Sequence, residues 1–96
     1  MTDEIKLNRD ITRQSQAEAL LRNELLIEGF DVTTRTYLDR LMATGIMDGA
    51  LRERLWDRIQ ALADVRKHLT TVISGGKLAQ QEIDALEQRR ELFGKI

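Results

Sequence analysis

From Asp48 to Ser74 the chain carries one apolar stripe without a break, and Gly75-Gly76 follows it. Leu51, Leu55, Ile59, Leu62, Leu69 and Ile73 recur at steps of three, four or seven, which places them on one side of a 3.6-residue helix. The positions between them are largely charged. This spacing predicts one long amphipathic helix over about 48–74, capped by Asp48. The glycine pair is its expected stop, because glycine takes left-handed dihedrals without penalty. A helix of that length is too long to be covered from end to end by one partner within a chain of 96 residues.

Shorter pieces repeat the pattern. Ser15-x-x-Glu18 has the form of a capping box and Thr12 is an alternative cap, so a first helix is expected near residue 15, with Ala17, Leu20 and Leu21 on its apolar side. Asn23 interrupts it and caps a second helix carrying Leu26, Phe30, Tyr37 and Leu41, with Thr34 between them. Gly29 and the run Val32-Thr33-Thr34 are poor helix formers, so a kink or break near 29–34 is expected, and Gly45 ends the segment. A last helix should run from about Lys77 to Phe93, with Ala79, Ile83, Leu86 and Phe93 on its stripe and Arg90 at the skipped position. Residues 1–10 show no sustained period and read as an N-terminal arm ahead of a single helical domain, 11–96.

Composition supports helices and little else. Aromatics are 4% of the chain, proline is absent and charged residues reach 32%, so the core must be Leu, Ile and Ala, as in helix-on-helix packing. The expected fold class is all-α, with three to four helices forming an antiparallel helical hairpin or small bundle on the long helix. No stretch approaches the ~20 apolar residues of a membrane span, and MTDEIKLNRD is too charged for a signal peptide. These features point to a soluble protein made in the cytoplasm.

The chemistry-bearing residues do not converge. Without cysteine there is no thiolate nucleophile or thiolate metal site, and one histidine, His68, lacks the spacing of a zinc site. His68 reads as an ordinary side chain near a helix C-terminus. Asp57 with Asp64, and Glu82 with Asp84 and Glu87, are interleaved with bases and read as solvated faces. Gly75-Gly76-Lys77 lacks the earlier glycine, the preceding strand and the following Ser or Thr of a phosphate loop. No catalytic, cofactor or metal residue is expected.

Charge is uneven. Residues 1–31 hold seven acids and four bases (−3), whereas residues 50–68 hold five bases and three acids (+2). Arg52, Arg54 and Arg58 around Trp56 are the candidate nucleic-acid contacts, though few bases are available for counterion release. Trp56 belongs in the core or in a subunit contact. Together with Ala79, Ile83, Leu86 and Phe93 it makes the expected partner or oligomer surface, since apolar positions are left over on the C-terminal helix.

From about Ala17 to Gln81 the chain resembles small helical proteins encoded among tailed-bacteriophage genes. The matching residues are Ala19-Leu20-Leu21-Arg22-Asn23, Arg52-Glu53-Arg54-Leu55-Trp56, Ile59-Gln60-Ala61-Leu62 and Gly76-Lys77-Leu78-Ala79. The resemblance implies a phage or prophage protein of virion assembly or DNA packaging, in the host cytoplasm or incorporated into the virion. The expected function is that of a non-enzymatic structural or adaptor protein, pairing with itself or with other phage proteins. A small DNA-packaging or regulatory subunit, and a phage inhibitor of a host protein, are the alternatives.

Overall fold

The computed structural model describes residues 2–94, the side chain of Thr2 excepted. Three helices follow one another: α1 (Thr2–Leu21), α2 (Glu24–Ala43) and α3 (Gly49–Gly94). The all-α class holds, and α3 is longer than its stripe foretold. It runs through the glycine pair without a stop, so the separate helix expected from Lys77 is the second half of α3. No glycine among the described residues has a positive φ, so neither Gly75 nor Gly76 takes the left-handed conformation that ends a helix. Two further expectations are corrected. The segment 1–10, read as an arm, is helical from Thr2 onward. Ser15 and Thr12 therefore lie inside α1 rather than at its cap, and the Thr12 hydroxyl donates back to the Asn8 carbonyl.

The chain divides into two compact units, Met1–Ala19 with Leu69–Ile96, and Leu20–His68. In the first, α1 packs on the C-terminal part of α3. Glu4 reaches Arg90 while Asp10 and Gln14 lie against Gly76, so the two helices run antiparallel. Leu7, Asp10, Gln14 and Ala17 line the covered side of α1 at steps of three and four. Leu69, Val72, Gly76, Ala79 and Ile83 answer them on α3. Ala17 and Ala79 are the buried apolar side chains of this unit. Small residues at the crossing let the backbones come close. A Cβ on Gly76 would fall 2.2 Å from Gln14 Cβ and 2.9 Å from the Asp10 carbonyl oxygen. Gly76 is thus a contact residue.

In the second unit α2 folds back on the N-terminal half of α3 as an antiparallel hairpin. Asp31 bonds Arg66 at 2.8 Å, while Tyr37 lies under Arg58 further along. Asn23 caps α2 as its sequence foretold, its side-chain oxygen accepting from the Leu26 amide at 3.0 Å. The kink expected near 29–34 does not occur, since α2 is continuous. Within it, the Thr36 hydroxyl donates to the Val32 carbonyl, and Thr33 and Thr34 are half-buried. Thr44, rather than Gly45, closes the helix, its amide and hydroxyl both donating to the Leu41 carbonyl. Leu26, Phe30, Tyr37 and Leu41 turn toward α3, where Leu55 and Ile59 are buried. Leu55, 1% exposed, is the one large side chain fully buried among the described residues.

Candidate docking surfaces

The sequence-predicted contact residues fall on different ground. Ala79 is buried against α1 and Ile83 is half-buried, so both serve contacts inside the chain. Leu86 and Phe93 remain exposed, Phe93 at 75%, and Leu92 beside it is also exposed. These three give the end of α3 an apolar surface. Trp56 is 52% exposed on α3 and so lies outside the core.

The arginines are likewise divided. Arg58 lies with its guanidinium carbon 5.5 Å from the Tyr37 ring centroid, a cation–π contact between α3 and α2. Arg66 covers the Phe30 ring at 5.2 Å and bonds Asp31. Both stabilise the hairpin. Arg52 and Arg54 stand exposed in the first turns of α3, interleaved with Glu53 and Asp57. His68 is exposed and lies well inside α3 rather than near a helix end. Among the acids, Asp84 accepts from Gln80 at 2.9 Å. Among the described residues no group of three His, Cys, Asp or Glu side chains is placed to hold a metal ion. No described helix is long and apolar enough to cross a membrane.

The turn joining α2 to α3 holds residues that sequence reasoning passed over. Ile46 is 91% exposed and Met47 95%; beside them Met42, near the end of α2, is also exposed, and so is Leu51, the first residue of the predicted stripe, in the first turn of α3. Turns favour Gly, Asn, Asp and Ser, yet here Gly45 is followed by Ile46-Met47. That departure was the available signal. The backbone has its own partners, since the Asp48 amide donates to the Gly45 carbonyl and the Asp48 carbonyl accepts from the Arg52 amide. The two apolar side chains are therefore held outward by an ordered turn.

A second surface runs along α2. Leu25, Gly29, Val32 and Thr36 recur at steps of four, three and four on the side away from α3, and all are exposed. Beside this strip an apolar groove of about 450 Å³ is lined by Leu25, Leu26, Gly29, Phe30, Thr33 and Leu62, with Asn23 at its end. The groove has open space at Gly29, where an added Cβ would meet nothing within 4 Å.

These surfaces can bury apolar area against another molecule. The sequence matches no protein-family model, and no match was found among curated proteins or solved structures.

Proposed function

We propose that this chain is a non-enzymatic structural or adaptor protein that works through helix contacts, and that its setting is virion assembly in a tailed phage. One observation carries the contact reading: Ile46 and Met47 stand 91% and 95% exposed on an ordered turn between two helices. Burying such a pair gains roughly 3–6 kcal/mol, enough to anchor an interface centred on the turn. The phage setting rests on the resemblance of Ala19–Asn23, Arg52–Trp56, Ile59–Leu62 and Gly76–Ala79 to small helical phage proteins.

The test is association. With Ile46→Ser and Met47→Ser combined, helix content and unfolding midpoint should stay unchanged, because neither side chain packs on its own chain. Co-sedimentation with assembling phage particles should be lost. A wild-type chain that neither joins such particles nor self-associates at high concentration rejects the reading. The DNA-packaging alternative keeps Arg52 and Arg54 on the surface, and a gel shift at low salt decides it: no retention at micromolar protein removes that alternative.

A further inference from the structure

We propose that two copies of this chain pair antiparallel through α2, on the strip Leu25, Gly29, Val32 and Thr36. The proposal rests on the assembly reading above but names a different surface from the α2–α3 turn. The strip has the three-and-four spacing of a coiled-coil seam, and it faces away from α3. With two such strips antiparallel about a two-fold axis, Gly29 of one copy comes level with Val32 of the other, and Leu25 with Thr36. Small meets branched at the centre, and long meets short on either side. The Thr36 hydroxyl is already committed to the Val32 carbonyl at 2.8 Å.

The charges select the partner and the direction. In this register Glu28 of each copy flanks Arg35 of the other, and the two-fold axis makes that pair twice. Arg22, in the turn just ahead of α2, comes level with Asp39 of the other copy, again twice. None of Arg22, Glu28, Arg35 and Asp39 makes a hydrogen bond or ion pair among the described residues. A parallel arrangement would instead set Arg35 beside Arg40 of the neighbour, a like-charge contact that disfavours it. On the opposite flank Leu26 of one copy meets Thr33 of the other over the groove that reaches Leu62. A second copy of this chain therefore matches the face in shape and in sign.

Sedimentation equilibrium on the full chain tests the pairing. The wild type should be a dimer, and Glu28→Arg or Arg35→Glu alone should weaken it by about tenfold or more, since each reverses two cross-copy pairs. The chain carrying both substitutions re-forms those pairs with signs exchanged and should recover dimerisation. Gly29→Leu, which has open space in the single chain, should keep its helix content and lose the dimer. A wild type that stays monomeric at hundreds of micromolar, or a double variant no better than the singles, overturns the proposal. If the α2 variants change nothing while Ile46→Ser with Met47→Ser or Leu86→Asp disperses the oligomer, the α2 pairing is wrong and the broader assembly reading survives. If the wild type is monomeric and also fails to join phage particles, both fall.

Discussion

Two adjacent glycines with the same helical backbone have opposite roles because of what lies beside them. Gly75 has nothing within 4 Å of where a Cβ would stand, whereas Gly76 has the Gln14 side chain and the Asp10 carbonyl at less than 3 Å. Gly75→Ala should stabilise the chain by about 0.5–1 kcal/mol, since alanine is the better helix former in open space. Gly76→Ala should destabilise it by ~1–3 kcal/mol, because the atoms it meets include a Cβ and a backbone oxygen that move only if α1 moves. Urea unfolding of the two variants side by side reads the difference in sign. The same pair marks the limit of sequence reading at this scale. A helix-stopping glycine and a close-packing glycine are identical in the chain, and only the neighbour from α1 separates them. Asn23 needed no such neighbour. Its cap is local, with the Leu26 amide three residues on, and it was legible in the sequence.

At the scale of elements, legibility follows how apolar the contact face is. The stripe of α3 through Leu55, Ile59 and Leu62 is plain, and so is the Leu26, Phe30, Tyr37 and Leu41 face of α2. The contact face of α1 is hidden because Asp10 and Gln14 occupy two of its positions and break the period. Those residues are tolerated at a half-buried seam, where the Gln14 amide donates to Glu18 at 2.8 Å. The turn at Ile46-Met47 escaped for the reverse reason: a periodicity search discards apolar residues that lack helical partners. Removing local support from α2 gives measurable costs. Asn23→Ala should cost about 1 kcal/mol and Asn23→Gly only a few tenths, as for other N-caps, by thermal or urea unfolding. Arg66→Ala removes the Asp31 bond and the contact over Phe30. Because the Arg66 and Asp31 side chains are 42% and 62% exposed, the expected loss is only about 1 kcal/mol. The ionic part of that loss should shrink as salt is raised.

For the molecule as a whole, the question is how two compact units that share α3 lose their structure. The buried apolar side chains among the described residues divide evenly, Ala17 and Ala79 in one unit and Leu55 and Ile59 in the other. The first unit holds its helices together by close approach at Gly76, and the second by the buried Leu55. Leu55→Ala therefore strikes one unit alone. Truncating a fully buried leucine costs roughly 2–5 kcal/mol, a large fraction of what a chain this small can hold in reserve. Amide hydrogen exchange on this variant should show protection falling along α2 and the first half of α3, while amides of α1 from Leu7 to Ala17 keep most of theirs. Gly76→Ala should give the converse pattern, with α1 losing protection first. Equal loss in all three helices for both variants would mean that the units unfold as one cooperative body. Their separate cores would then be a feature of packing without a thermodynamic counterpart.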